Sequence, residues 1–157
     1  MTRVYISGKN GFIGSHLFDS MKYSYELLED EYSLDYIDKI RSFNPEVIIH
    51  CAAKVGSVNC KNDFYGTINS NVLGTFKISQ VAKDLNSYFI FLSSIDVYDF
   101  CTEHNCITEY SRVNPKTFYG ASKFCGEKIV ENNVSKNLKL ILLIVFVLLD
   151  EPVQFLF

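Results

Sequence analysis

The sequence has no surplus of positive charge, no apolar stretch of membrane length, no internal repeat and no low-complexity tract. Lys and Arg number 15 against 18 Asp and Glu, and the net charge of -3 over 157 residues argues against generic nucleic-acid binding. The most apolar run, 138–149, contains Lys139 and falls short of the ~18 residues a membrane helix requires, so it reads as a buried strand. No Cys-x-x-Cys pair is present. Cys101, His104 and Cys106 lie close together, but their spacing fits no standard zinc pattern and no second cluster completes a ligand set, which argues against a metal. The 5 cysteines read as reduced thiols, Cys60 and Cys125 as buried small residues, and the first strand leaves no room for a signal peptide. A cytoplasmic protein is expected.

What is present suits one compact domain, with 48% hydrophobic and 21% charged residues. Strand patterns fall near 3–7, 25–29, 46–50, 87–93 and 138–146, and helix patterns near 12–22, 34–43, 62–84 and 117–133. Their alternation predicts an α/β fold, a Rossmann-like doubly wound parallel sheet with helices on both faces. Asn44-Pro45 stops the second helix before the third strand. The tyrosines and phenylalanines read as core and strand residues, since no basic interleaving suggests stacking on bases.

The first strand runs directly into Gly8-Lys9-Asn10-Gly11-Phe12-Ile13-Gly14. Gly8 would permit a tight turn, Gly11 would let backbone approach a pyrophosphate, and Gly14 would let the new helix pack closely on the sheet. Free N–H groups and positive dipole at that helix start suit phosphate. The spacing differs from the general Gly-x-Gly-x-x-Gly fingerprint, and a plain glycine turn is the competing reading. At the other end of the chain, Tyr119 precedes Lys123 by four residues, which puts both on one helix face. An ammonium near a phenol favours the phenolate and brings proton transfer towards neutral pH. A solvated helix face would show the same spacing.

Together these segments resemble the extended short-chain dehydrogenase/reductase superfamily, the branch of NAD(P)-dependent sugar-nucleotide epimerases, dehydratases and reductases. Gly8 to Gly14, continued through Ser15-His16-Leu17, matches its cofactor loop. His50-Cys51-Ala52-Ala53 matches the segment that ends the central strand along the cofactor, followed here by Lys54, and Asn71-Val72-Leu73-Gly74-Thr75 matches an Asn-x-x-Gly-Thr helix motif. Leu92-Ser93-Ser94-Ile95-Asp96-Val97-Tyr98 resembles the strand end carrying a catalytic hydroxyl, and counting back from Val97-Tyr98 selects Ser94. The resemblance implies a Ser94, Tyr119 and Lys123 catalytic set. It also implies cofactor contacts from Gly8, Asn10, Gly11, Phe12, Ile13, Gly14, Ala52, Ala53, Lys54, Asn71, Tyr119 and Lys123. Asn71 could equally be a structural cap or helix contact, and His16 and His50 read as packing or hydrogen-bonding residues.

The region after the second strand is compressed, and Leu34-Asp35 there is similar to a segment of reductases acting on dTDP-4-keto-6-deoxy sugars. Glu29, Asp30 and Glu31, with no adjacent Arg or Lys, and then Asp35 favour ribose hydroxyls over a 2′-phosphate. NAD is therefore the expected cofactor, with NADP as the alternative and an acidic solvent-facing turn as the bland reading. The sequence departs from the family after Asn137. Residues 1–149 read as the dinucleotide-binding domain and 150–157 as an irregular tail, with no continuation into a substrate lobe. The expectation is a truncated or frameshifted reading of a longer gene. It leaves two functions open, a nucleotide-sugar oxidoreductase or epimerase and a catalytically silent NAD(P)-binding module. In relatives the helices near 62–84 and 117–133 build a homodimer bundle, which is the partner expectation beside the nucleotide sugar.

Overall fold

The structure, a computed structural model, describes residues 1–28, 36–99, 107–108, 110–133 and 140–145. β1 (Arg3–Ser7) leads to α1 (Phe12–Met21), β2 (Glu26–Leu27), α2 (Tyr36–Phe43) and β3 (Val47–His50). Four helical pieces follow without an intervening strand: α3 (Ser57–Asn62), α4 (Phe64–Thr67), a π-helical segment (Ile68–Gly74) and α5 (Thr75–Leu85). β4 (Tyr88–Ser94), a 3₁₀ turn (Ile95–Val97), α6 (Phe118–Asn133) and β5 (Leu140–Val145) complete the order. The described strands form one parallel sheet in the order β2-β1-β3-β4-β5.

The order places the site. From β1 the chain moves outward to β2, then returns to the opposite flank of β1 as β3, so the carboxyl ends of β1 and β3 frame the crevice where ligands of such sheets bind. Strands covered on both faces should read as nearly unbroken apolar runs, and Val47-Ile48-Ile49 and Phe89 to Leu92 do so. Side chains alternate between two cores. Tyr5, Ile48, Phe89 and Phe91 pack with Ile40 of α2, Ile78, Val81 and Ala82 of α5 and Val130 of α6. Val4, Ile6, Ile49 and Leu92 meet Ile13, Leu17, Phe18 and Met21 of α1 on the other face.

Several expectations change in detail. The helix expected over 62–84 is broken by the π segment and preceded by the short α3, which the periodicity did not separate. Cys60 is buried as expected, but Cys125 is exposed, because it lies on the side of α6 away from the sheet-facing residues Ser122, Gly126 and Val130. Not all aromatics are core residues: Tyr65 is 92% exposed, and Phe12, Phe64, Phe76 and Tyr110 also face outward. Cys101, His104, Cys106, the 150–157 tail and residues Glu29 to Asp35 lie outside the described residues, among which no metal-holding cluster occurs.

The β1 turn depends on hydrogen side chains. Gly8 has φ +74°, and a Cβ there would lie 2.8 Å from the backbone of Ala52, so residue 8 needs glycine for conformation and for space. A Cβ on Gly14 would stand 2.1 Å from the Gly8 carbonyl oxygen and 2.9 Å from Lys9 Cα, so α1 closes onto the turn itself. Gly74, by contrast, is helical and its Cβ would meet only the Asn69 carbonyl at 3.5 Å. Gly14→Ala is expected to lower the unfolding free energy by about 1–3 kcal/mol. Gly74→Ala should leave it unchanged or raise it by up to about 1 kcal/mol. Urea unfolding midpoints check both, and equal midpoints for the two variants would contradict this packing.

Candidate functional site

The loop from Gly8 to Gly14 joins β1 to α1 as a tight turn closed by Gly11 N–H to the Gly8 carbonyl, 2.9 Å. Gly11 caps α1 without any side-chain hydrogen bond, and no acidic residue occupies the first helical turn. The first intrahelical bond is Ser15 N–H to Gly11 O, 2.9 Å, which leaves the N–H groups of the first turn aimed out of the helix end. A Cβ on Gly11 would meet only the Gly8 carbonyl, at 3.2 Å, so the outer side of the turn is open to an approaching group. Glycine backbone, free donors and helix dipole together fit a pyrophosphate. Asn10 and Phe12 are exposed there, Phe12 lies 4.8 Å from the His16 ring, and Ile13 packs inward on the core.

Ala52, Ala53 and Lys54 follow β3 and run past that turn. Ala52 N–H reaches Ser7 Oγ at 3.3 Å. Lys54 is held by its backbone. Its N–H donates to Asn71 Oδ1 at 2.7 Å, and its carbonyl accepts from Asn71 Nδ2 at 2.9 Å and from Cys60 Sγ at 3.3 Å. Its ammonium pairs with Asp63. Asn71, 1% exposed in the π segment, also donates to Ser122 Oγ at 2.9 Å, and Ser122 in turn donates to the Tyr119 carbonyl at 2.7 Å. Asn71 thus ties the β3 loop to the helix that carries the Tyr–Lys pair. Tyr5, Ser7, His50, Ala52 and Gly74 line a cavity of about 250 Å³ between the β1 and β3 ends and the π segment.

Ser94 ends β4, and Tyr119 stands in the first turn of α6. Ser94 Oγ accepts from Asp96 N–H at 3.2 Å. Burial pushes the Tyr119 phenol above its ordinary value; the Ser94 hydrogen bond opposes this, and Asp96 and Cys60 add to it. Gly120 makes the approach of α6 possible, since a Cβ there would lie 2.2 Å from the Asp96 carbonyl oxygen. Lys123 is only 3% exposed, with its Nζ 4.3 Å from the Phe91 ring centroid. Burial lowers its pKa to about 8, against the pull of Cys51 and Glu127, so it is mostly charged at neutral pH. Glu127, one turn further along α6, is buried and accepts from Ser93 Oγ.

The structure therefore sets the Ser94 hydroxyl near enough to Tyr119 to act on its phenol, lays Lys123 on the Phe91 ring, and gathers Gly8 to Gly14, Ala52 to Lys54 and Asn71 at the same end of the sheet. Asp30 and Asp35 lie outside the described residues. Sequence reasoning passed over Ser7, Thr75, Ser93, Ser122 and Glu127. All but Ser7 and Glu127 stand inside segments quoted for other residues, and Ser7 directly precedes Gly8. A polar residue at the end of an apolar strand was the available signal.

The model of the family described as "NAD dependent epimerase/dehydratase family" matches residues 4–149. The chain belongs to that family. Similar proteins include the GDP-6-deoxy-D-mannose reductase of Pseudomonas aeruginosa, 27% identical over 142 residues, which span 81% of this chain and 45% of the reductase. Methionine adenosyltransferase 2 subunit beta of Xenopus tropicalis is 29% identical over 148 residues, 83% of this chain and 43% of that subunit. The solved dTDP-4-dehydrorhamnose reductase of Bacillus anthracis, in complex with NADP, superposes with a TM-score of 0.81 at 23% identity, covering 92% of this chain and 53% of the reductase. That likeness establishes the Rossmann-like fold. The chain spans about half the length of these relatives.

His50, 2% exposed between Ser7 and Thr75, supplies a measurable consequence of the site's dryness. Burial, with the Lys123 charge adding, lowers its pKa to about 3. Above pH 6.5 both folded and unfolded chains hold this imidazole neutral, and its contribution to stability is complete. As pH falls from 6.5 towards about 3, only the unfolded chain takes up the proton, and stability drops by about 1.4 kcal/mol per pH unit. Urea unfolding between pH 6.5 and pH 5 should show this slope in the wild type and lose one proton's share of it in His50→Asn. Identical slopes would contradict the assignment.

Proposed function

We propose that this chain binds a nicotinamide dinucleotide across the β1–α1 turn and carries the proton-transfer machinery of a nucleotide-sugar oxidoreductase or epimerase. The observation that carries the reading is the Ser94 hydroxyl acting on the Tyr119 phenol, one helical turn before the buried Lys123, near the sheet end that holds the open glycine turn. Gly8 to Gly14 would receive the pyrophosphate, and Ala52 to Lys54 with Asn71 would line the path towards Tyr119. A bound nicotinamide supplies the hydride donor or acceptor. Tyr119 passes a proton between its phenol oxygen and the substrate oxygen, and Ser94 hydrogen-bonds that same oxygen and fixes its position. Lys123, charged at neutral pH, is the group whose approach would bring the raised phenol back towards useful acidity.

Family membership and the nucleotide-sugar reductase among the relatives support the substrate class. The acidic residues after β2 favour NAD, whereas one solved neighbour holds NADP. Sugar recognition is proposed to need surface beyond the described residues, from a partner polypeptide or from chain length like that of the relatives. Free Cys51, Cys60 and Cys125 suit a reducing, cytoplasmic setting. The exposed side chains of Phe64, Tyr65, Ile68, Leu73 and Phe76 favour a homodimer through the helices of 62–85.

A second reading is a catalytically silent NAD(P)-binding module, and one of the relatives is named as a subunit of another enzyme. Turnover separates the two. On the first reading, NADH or NADPH oxidation with GDP- or dTDP-4-keto-6-deoxy sugars is measurable, and Tyr119→Phe cuts it about 10²- to 10⁴-fold while NADH affinity stays within about threefold. NADH binding without turnover on any of these sugars would favour the second. Sedimentation should show dimers that Tyr65→Glu with Phe76→Glu converts to monomers; a wild-type monomer would remove the dimer reading.

A further inference from the structure

Five hydrogen bonds run from the cofactor turn to the catalytic helix, and their chemistry fixes the direction of each. Thr75 Oγ1 donates to the Asn71 carbonyl at 2.7 Å, one turn back along its own helix. Its single proton is therefore engaged, so at its 3.0 Å contact with His50 Nε2 it must accept. Nε2 then carries the imidazole proton. The ring is neutral, because burial lowers its pKa to about 3, so Nδ1 is bare and must accept from Ser7 Oγ at 2.5 Å. Ser7 Oγ keeps a lone pair for Ala52 N–H at 3.3 Å. The same Asn71 that receives Thr75 sends its side-chain amide to Ser122 at 2.9 Å, and Ser122 donates to the Tyr119 carbonyl. The ring itself lies between Phe89 and Phe91, with centroids 6.0 Å and 5.9 Å away, and Lys123 is the charged group that acts on it.

We propose that His50, locked as the Nε2–H tautomer, is a positioning residue that couples the Ser7–Gly8 cofactor turn to the π segment and, through Asn71 and Ser122, to Tyr119. Both ring nitrogens are engaged with hydroxyls, so acid–base work is not its role. Its ring touches both the hydroxyl beside Gly8 and the hydroxyl that holds the Asn71 carbonyl. A shift of Ser7 on cofactor binding is thereby felt at Asn71, and a shift of α6 is felt at the turn. The inference rests on the cofactor reading of the β1–α1 turn.

The test is a cycle of Ser7→Ala and Ser122→Ala, two mild substitutions at opposite ends of the chain of bonds. Each single variant of the full chain is expected to weaken NADH binding by about two- to tenfold in a fluorescence titration. The double variant is expected to bind within about twofold of the weaker single, because either break already severs the link. Losses that multiply would overturn the coupling. Nitrogen-15 spectra of His50 supply a signature that packing alone would not fix: one protonated Nε2 and one bare Nδ1, unchanged from pH 8 to pH 4. An Nδ1–H tautomer, or titration near 6.5, would overturn the assignment of direction. The cycle is read by urea unfolding as well. A wild-type chain that fails to bind NADH would sink the cofactor reading, while additive or non-additive unfolding midpoints would still decide the coupling.

Discussion

A missing atom at residue 8 organises the carboxyl end of the sheet. Because Gly8 carries no Cβ, the backbone of Ala52 comes within 2.8 Å of where one would stand, and the β3 loop lies against the turn that leaves β1. The contact extends the strand pairing: Cys51 N–H reaches the Ser7 carbonyl at 3.1 Å and Ala52 N–H reaches the Ser7 hydroxyl. Held there, the loop presents the Lys54 backbone to Asn71, and Asn71 can reach Ser122. Van der Waals contact between two loops thus sets the distances of polar groups well beyond them.

Burial acts on two basic groups in this region with different results. The imidazole of His50 gives up its charge, since burial strips it of water and the Lys123 ammonium repels a second positive charge. Lys123 keeps most of its charge at neutral pH, because the Phe91 ring face, Glu127 and the Cys51 sulfur offset part of the desolvation. Among the described residues no buried side-chain polar atom lacks a partner. Such a site is rigid and poorly solvated, which favours electrostatic interactions with whatever binds at its mouth.

Much of this arrangement is legible in residue order. Apolar runs separated by helix-period segments announce the parallel sheet, and the strand, glycine turn and helix at Arg3 to Met21 announce its ligand crevice. Tyr119 and Ser94 could be paired only through resemblance, since they stand 25 positions apart and periodicity carries no long-range register. Glu127 and Thr75 escaped notice because a carboxylate or hydroxyl on an amphipathic helix is ordinary until burial is known. The exposed Cys125 shows the opposite error, where residue type suggested burial and helix phase decided otherwise.

Helix phase has its largest consequence in the π segment. Over Ile68 to Gly74 the ladder is wider than in α4 before it or α5 after it, so the outward face of α4 and that of α5 are offset in rotation. Wound as a regular α ladder, the same residues would turn everything upstream by roughly one residue's rotation, about 100°, about the axis. Phe64 would swing away from the Phe118 ring that it now meets edge-on at 4.6 Å, and Asp63 would leave the side of Lys54. The segment therefore works as a fixed angular spacer: its length, more than its composition, decides which face of the preceding helix looks at α6.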